Sequence, residues 1–222
     1  MPPVGAPVEL TFPFSGRWVA QNSPADRVPS HGIDLYGQRY AIDFLAVDDH
    51  DRSAPRTWRS IVAPEPPDLF VGFGRPILAP VAGTVVGCHD GEVDHEARRS
   101  PITLLPYAFG QAARARAGIP AIAGNHVVIA ARTDGPYVLL AHLRRGSLTV
   151  APGQVVTPGS PIGQCGNSGN STEPHVHVQA TDSVDWSRAN GLPITFADRP
   201  GAAGWLPRNH KPFDVARPPR AG

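Results

Sequence analysis

Residues 124–180 read GNHVVIAARTDGPYVLLAHLRRGSLTVAPGQVVTPGSPIGQCGNSGNSTEPHVHVQA, the most regularly patterned stretch of the chain. Short apolar runs such as NHVVIAA, YVLLAHL and HVHVQA alternate with turns rich in Gly and Pro. Runs of this length, rich in Val, Ile and Leu and separated by turn residues, are typical of strands joined by short connections. The stretch therefore predicts an all-β protein with an antiparallel sheet or sandwich core.

Strand patterns also occur upstream of this stretch. Residues 8–21 (VELTFPFSGRWVAQ) predict a first strand interrupted by Pro and Gly, and residues 39–47 (RYAIDFLAV) form an apolar run with turn residues on either side. Residues 76–88 (PILAPVAGTVVGC) predict two short strands around a turn. The β pattern therefore extends well beyond the decisive stretch.

The patterns divide the chain into a core and two extensions. We predict an N-terminal strand and loop extension at 1–38, a β core at 39–180 and an irregular C-terminal extension at 181–222. Within the core, 89–124 interrupts the strand pattern and predicts a loop insertion with a short helix near 110–118 (GQAARARAG). The last residues, KPFDVARPPRAG, are expected to form a poorly ordered tail.

Charge and hydropathy exclude several classes of partner. Twenty basic and nineteen acidic residues give a net charge of +1, so no overall field attracts nucleic acid or an anionic membrane. No apolar run approaches the roughly 20 residues that span a bilayer, and the N-terminus lacks the pattern of a secretory signal. We expect no membrane span and, from the chain as given, a cytoplasmic protein. Cys88 and Cys165 could form a disulfide or remain free thiols.

The pair His175 and His177 is the sharpest chemical feature. Residues two apart in a strand point to the same face, so both imidazoles would project together while Val176 and Val178 enter the opposite face. Two imidazoles on one sheet face suit a metal site or an acid–base site. The alternative is a pair of surface histidines on a half-exposed strand.

Two other polar residues lie in apolar strands. His142 falls within YVLLAHL and Asp43 within RYAIDFL, where packing alone favours apolar side chains. These residues are expected to converge on one site with the His175/His177 pair. Taken singly, His142 could be satisfied by a backbone carbonyl, and Asp43 by Arg39 four residues earlier.

The order of GTVVG, GNHVVIAA, YVLLAHL, GSLTVAPGQVV and HVHVQ resembles the core of the lysostaphin and LytM-type zinc metalloendopeptidases over roughly residues 39–180. This is a family of peptidoglycan hydrolases with the duplicated-hybrid-motif fold. The resemblance implies a zinc ion held by a His-x-x-x-Asp motif and by the second His of His-x-His. It also implies hydrolysis of Gly-rich or cross-linking peptides of the bacterial cell wall, and an extracellular or wall-associated location.

The metal-binding and catalytic residues of the family match positions in this sequence, with one exception. Asp43 matches the aspartate ligand and His177 the histidine ligand, while His175 and His142 match the two histidines that serve the chemistry. Arg39 stands where the pattern requires the other histidine ligand, and a guanidinium cannot bind a metal.

Two interpretations follow from this departure. In the first, His31 supplies the missing ligand, for example through a hairpin with a loop at 36–38 that sets position 31 across from Asp43. In the second, the guanidinium of Arg39 bridges to Asp43 and replaces the metal. The second would make the chain a degenerate, peptide- or protein-binding module.

The expected function is a zinc-dependent metalloendopeptidase with one zinc ion per chain at Asp43, His177 and His31, and with His142 and His175 as catalytic residues. A third alternative is a small β carrier similar to sugar-phosphotransfer domains, which the clean His-x-His strand disfavours. A loop cluster of His and carboxylate residues is expected to be solvated rather than a cation site. Its members are His89, Asp90, Glu92, Asp94, His95 and Glu96.

Overall fold

The computed structural model describes residues 6–100, 102, 119–197 and 204–216. Most of the regular structure in these residues is β. The strands are β1 (Val8–Leu10), β2 (Gly16–Gln21), β3 (Ile42–Ala46), β4 (Pro76–Leu78), β5 (Gly83–His89), β6 (Asn125–Ala130), β7 (Tyr137–Leu143), β8 (Val155–Val156), β9 (Pro161–Gln164), β10 (Val176–Thr181), β11 (Gly191–Leu192), β12 (Ile194–Phe196) and β13 (Pro212–Val215). Short helices are α1 (Arg59–Val62) and α2 (Ile119–Ala123), and 3-10 turns span Gln38–Tyr40 and Pro67–Leu69.

One large sheet organises these strands, in the order β13-β2-β3-β10-β7-β6-β5-β8, with β11 also paired to β10. All neighbours in this sheet run antiparallel. Two small ribbons accompany it, β4 with β9 antiparallel and β1 with β12 parallel. The predicted all-β, antiparallel fold is confirmed.

One face of the large sheet packs on the main hydrophobic core. Because strand residues alternate between faces, β10 contributes Val176 and Val178 to the core, as its sequence predicts. Burying a large apolar side chain of this kind stabilises the fold by roughly 1.5–3 kcal/mol. The other core residues from strands β3, β6, β7 and β10 are Ile42, Phe44, Ala46, Val127, Ile129, Val138, Leu140, Leu143 and Ala180.

The opposite face, called here the site face, carries the intervening residues of the same strands. His177 of β10 is in register with Asp43 of β3 on one side and with Ala141 of β7 on the other. Packing of the core face thus fixes which side chains the site face presents.

Aromatic side chains from distant parts of the chain close the core. Phe12 stacks on Phe196 with ring centroids 4.4 Å apart, and Phe14 stacks on Trp18 at 4.0 Å. Phe213 of β13 contacts this cluster, with its ring centroid 5.1 Å from that of Phe12. Segments outside the predicted 39–180 core therefore contribute to the same sheet and the same core.

Local structure departs from the sequence pattern at two places. The prediction of a poorly ordered tail is wrong for residues 212–215, because buried Phe213 anchors β13 against β2. The hairpin with a loop at 36–38 is also absent, since a 3-10 turn lies there and β3 pairs with β2 and β10 instead. The helix predicted near 110–118 lies outside the described residues.

The two cysteines are free thiols in the structure, so the question that the sequence left open is resolved without a disulfide. Cys165 is completely buried, and burial raises the pKa of its thiol. Cys88 lies on β5, half-buried, and burial likewise raises its pKa. Asp94 near Cys165 and Asp90 near Cys88 also raise the pKa of the thiols, the opposite of what activates a cysteine.

We expect Phe213→Ala to lower the free energy of unfolding by about 3–5 kcal/mol, because the substitution leaves a cavity within the aromatic cluster. Urea unfolding followed by tryptophan fluorescence measures the change. Val155→Ala is the matched control, since Val155 is 73% exposed on β8 and should cost little. Equal costs for the two variants would show that β13 is not part of the core.

Candidate metal centre and flanking histidines

The side chains of His31, Asp43 and His177 converge on the site face, with the carboxylate of Asp43 between the two imidazoles. The Nδ1 atom of His177 lies 2.8 Å from Asp43 Oδ1, and the Nε2 atom of His31 lies 3.0 Å from Asp43 Oδ2. One ligand atom from each of the three residues falls within 4.8 Å of the others. Two imidazole nitrogens and a carboxylate oxygen at this spacing form a donor set suited to a divalent transition metal.

Hydrogen bonds of the neighbouring backbone place His31 beside Asp43. Ser30 donates its backbone N–H to the Arg39 carbonyl and its hydroxyl to the Gln38 carbonyl. The Ser30 hydroxyl oxygen can then accept from His31 Nδ1, 3.0 Å away, which leaves Nε2 facing Asp43. The fold thus brings His31 to the site through a docked loop segment rather than through a strand pair.

Asp43 is a buried carboxylate that the structure keeps ionised. Burial alone raises its pKa, but His31, His175 and His177 lower it through charge and hydrogen bonding, and the net pKa lies well below the usual value. Asn22 also donates its side-chain N–H to Asp43 Oδ2 at 2.7 Å. The carboxylate therefore remains a negatively charged ligand across the neutral pH range.

His175 and His142 flank the three converging residues. His175 Nδ1 lies 2.8 Å from the Glu173 carbonyl oxygen and 3.0 Å from Ser171 Oγ, while its Nε2 lies 3.6 Å from Asp43 Oδ1. His142 Nδ1 lies 2.9 Å from the Ser168 carbonyl oxygen. Because a carbonyl oxygen only accepts, each ring carries its hydrogen on Nδ1 and has Nε2 available.

The environment of each ring sets its protonation. The pKa of His142 is well below its usual value, chiefly because of burial and then because of the nearby histidines His175 and His177. Burial also acts to lower the pKa of His177, but the hydrogen bond and charge of Asp43 outweigh it and raise the pKa. His142 is therefore neutral at pH 7, as a proton acceptor must be.

His142 also has an unusual backbone, with φ of 62°, in the left-handed region that non-glycine residues rarely adopt. The chain is held there by Ser168, whose hydroxyl donates to the Leu143 carbonyl and accepts from the backbone N–H of Asn125. Asn125 itself donates to the Leu143 carbonyl. A strained backbone at a site residue, supported by buried hydrogen bonds, is typical of functional positions.

Arg39 does not occupy the site. Its guanidinium pairs with Asp34 and lies over the ring of Tyr40, 5.7 Å from the centroid. The hydrogen bonds of Asp43 go to Asn22, His31 and His177 instead. The bridge from Arg39 to Asp43 is therefore not formed in the structure, where the guanidinium of Arg39 pairs with Asp34 instead.

A pocket of about 210 Å³ opens over the site face. Part of its lining is polar, from the residues described above and from Asn22, Glu173 and Gln179, and part is apolar, including Leu139, Ala141 and Trp186. Asn22 and Gln179 were not predicted as site residues. Gln179 shares the face of His177 by the period of two, so the sequence pattern could have identified it, whereas nothing local to Asn22 indicates its role.

The aspartates of the loop cluster accept hydrogen bonds from backbone N–H groups of neighbouring connections. Asp90 accepts from the N–H groups of Gly146 and Leu148, and Asp94 accepts from those of Arg145 and Asn167. Among the described residues, the only group of three or more potential metal ligands is His31, Asp43 and His177. The loop cluster therefore holds the connections beside the site through hydrogen bonds to backbone N–H groups.

Residues 107–190 match the model of Peptidase family M23. This part of the chain is thus similar to the M23 peptidases, the family that the motifs resemble. The match supports a peptidase and contains His142, His175 and His177, while His31 and Asp43 precede it. No curated protein gives a significant match.

Solved structures of M23 proteins resemble the chain at low sequence identity. The catalytic domain of the antimicrobial peptidase lysostaphin from Staphylococcus simulans is 19% identical, with 72% of this chain and 80% of that chain covered and a TM-score of 0.39. The M23 metalloprotease pseudoalterin, of deep-sea origin, is 12% identical, with 97% and 100% covered and a TM-score of 0.43. A putative M23 peptidase from Pseudomonas aeruginosa is 21% identical with a TM-score of 0.34, and the match covers 56% of this chain but only 39% of that protein.

No helix in the part of the chain that the structure describes is long and apolar enough to cross a membrane.

We expect His126 to make stability depend on pH independently of the site. Burial lowers its pKa, and the nearby His89 lowers it further. The stability that neutral His126 contributes is therefore fully present above the unfolded-state pKa of about 6.5. It is lost as the pH falls towards the lower pKa of the folded state. Urea unfolding of the metal-free protein at several pH values between 8 and 5 should show a shallower loss of stability in His126→Gln than in wild type.

The exposed residue His50 offers the control substitution, His50→Gln, which should follow the wild-type pH dependence. A pH dependence in His126→Gln as steep as that of wild type would contradict the burial argument.

Proposed function

We propose that the chain is a zinc-dependent metalloendopeptidase that hydrolyses peptide bonds in bacterial cell-wall peptides. The observation that carries the proposal is the convergence of His31, Asp43 and His177 within 4.8 Å, in a pocket that His142 and His175 also line. The M23 match supplies the reaction class. The resemblance of the motifs to those of the lysostaphin and LytM-type enzymes supplies the substrate.

The donor set fits a zinc ion. Both ring nitrogens of His177 face oxygen atoms, Nδ1 towards Asp43 and Nε2 towards the side-chain oxygen of Gln179. Only one hydrogen is present on a neutral imidazole, so a proton or a cation must lie at the other nitrogen. With His31 Nε2 on the other oxygen of Asp43, two histidines and one carboxylate would hold the metal and leave a fourth position open.

Bound zinc would supply Lewis-acid chemistry, which polarises a peptide carbonyl and lowers the pKa of water to about 7. The chain's own histidines handle the protons. Neutral His142, with its hydrogen held on Nδ1 by the Ser168 carbonyl, can accept a proton from the attacking water at Nε2. The proton that His142 takes up can then pass to the leaving amine, while His175, held the same way by the Glu173 carbonyl, can accept a hydrogen bond from the attacking water at its Nε2.

We expect elemental analysis to find about one zinc per chain in the wild-type protein, because one ligand atom from each of three residues lies within 4.8 Å of the others. His177→Ala and His31→Ala each remove one of three ligands and should lose most of the bound metal. Arg39→Ala should retain wild-type zinc, since its guanidinium is directed towards Asp34.

Circular dichroism of each variant provides the folding control. Zinc retained in His31→Ala would contradict the relocated ligand, and zinc lost in Arg39→Ala would contradict the assigned role of that side chain. Absence of zinc from wild type after incubation with excess metal would refute the enzyme proposal and favour a peptide- or protein-binding module.

We expect His142→Ala and His175→Ala to bind zinc normally but to lose roughly 10²- to 10⁴-fold in kcat, the range for removal of a general acid or base. Release of dye-labelled fragments from purified bacterial cell walls, and cleavage of a fluorescence-quenched glycine-rich peptide, measure the activity. His126→Gln serves as a histidine control outside the metal centre.

Loss of zinc in either of the first two variants would assign that histidine to the metal rather than to proton transfer. Cleavage of the peptide without release of fragments from cell walls would support the peptidase activity but contradict the proposed cell-wall substrate.

A further inference from the structure

Gln179 lies between the two parts of the chain that supply the histidine ligands. Its side chain is 2% exposed and lies on the site face of β10, two residues beyond His177. Its Oε1 atom is 2.9 Å from His177 Nε2, and its Nε2 atom donates to the Tyr36 carbonyl oxygen, also at 2.9 Å. Both ends of this buried amide therefore have a partner.

The Tyr36 carbonyl determines which way the amide points. A carbonyl oxygen can only accept, so the NH₂ group of Gln179 must face Tyr36. Its Oε1, which also only accepts, then faces His177 and requires the hydrogen of that ring to lie on Nε2. His177 Nδ1 is thereby the nitrogen presented to Asp43 and His31.

The same amide anchors the segment that carries His31. Tyr36 and Gly37 have consecutive left-handed backbones, with φ of 57° and 71°. The turn packs so closely on β10 that a Cβ atom at Gly37 would lie 2.4 Å from Thr181 Cγ2. Because Ser30 is hydrogen-bonded to the end of this turn, a shift of Tyr36 would move His31 as well.

We propose that Gln179 is a positioning residue for the metal centre: its oxygen orients the His177 ring, and its N–H group anchors the segment that carries His31. The inference rests on the proposed zinc site and extends it to a residue that acts through a ligand and not as a ligand itself. One side chain thus couples two ligands that come from different parts of the fold.

Two variants separate the two halves of this role. Gln179→Met removes both polar ends while keeping the length of the side chain, and Gln179→Glu keeps the acceptor for His177 but loses the donor to Tyr36. Gln164→Met is the matched control, since Gln164 is bonded to Arg144 away from the site. Zinc affinity is measured by competition with a chelator, and backbone hydrogen exchange over residues 30–41 is measured on metal-free protein.

We expect Gln179→Met to bind zinc about 10- to 100-fold more weakly, the usual cost of removing a group that orients a metal ligand. Exchange over residues 30–41 should accelerate in both Gln179 variants and remain unchanged in the Gln164 control. In zinc-loaded protein, the proton on His177 Nε2 should be visible by NMR in wild type and Gln179→Glu, and should exchange rapidly with water in Gln179→Met.

Wild-type zinc affinity in Gln179→Met, or unchanged exchange over 30–41 in both variants, would overturn the proposal. If Gln179→Met fails to fold, the Gln179→Glu variant decides, because it must keep the His177 Nε2 proton while residues 30–41 exchange faster. Failure of the wild type to bind zinc would refute the proposed function instead. The exchange data on metal-free protein would still test whether the hydrogen bond from Gln179 to Tyr36 anchors the segment that carries His31.

Discussion

A single buried carboxylate, that of Asp43, imposes the arrangement around it. Taking an ionised carboxylate out of water costs several kcal/mol unless charges and hydrogen bonds compensate. Here the compensation comes from three separate parts of the chain, through Asn22, His31 and His177. The loop that follows β2, the docked segment before β3 and strand β10 must therefore all reach the same point.

The two faces of the large sheet have different roles. Beneath β3 and β10, Phe44 and Val178 belong to a core closed by stacked aromatic rings, which holds the strands in one register. Above it, the alternate residues of the same strands carry the polar groups. Strands make a more rigid support than loops, so two of the proposed ligands, Asp43 and His177, are fixed by packing that is remote from the site.

Local patterns predicted much of this architecture, and their failures have a common cause. The period of two placed His175 and His177 on one face, and an aspartate within an apolar run marked Asp43 as unusual. By contrast, the place of β13 depends on contacts of Phe213 with aromatic residues about 200 positions earlier, which no local period records. The approach of His31 likewise depends on a 3-10 turn and on buried hydrogen bonds rather than on strand pairing.

The separation of His31 from the strand ligands has a thermodynamic consequence. A cation held by all three side chains would bind the folded arrangement and not the unfolded chain, so by mass action it would stabilise the fold by about 4 kcal/mol at a thousand times its dissociation constant. Much of that linkage free energy would act on the segment between Ser30 and Tyr40, to which strand β10 otherwise donates a hydrogen bond from Gln179 at Tyr36. Metal supply in the environment would then set how firmly this segment is ordered, and with it how long the protein survives proteolysis.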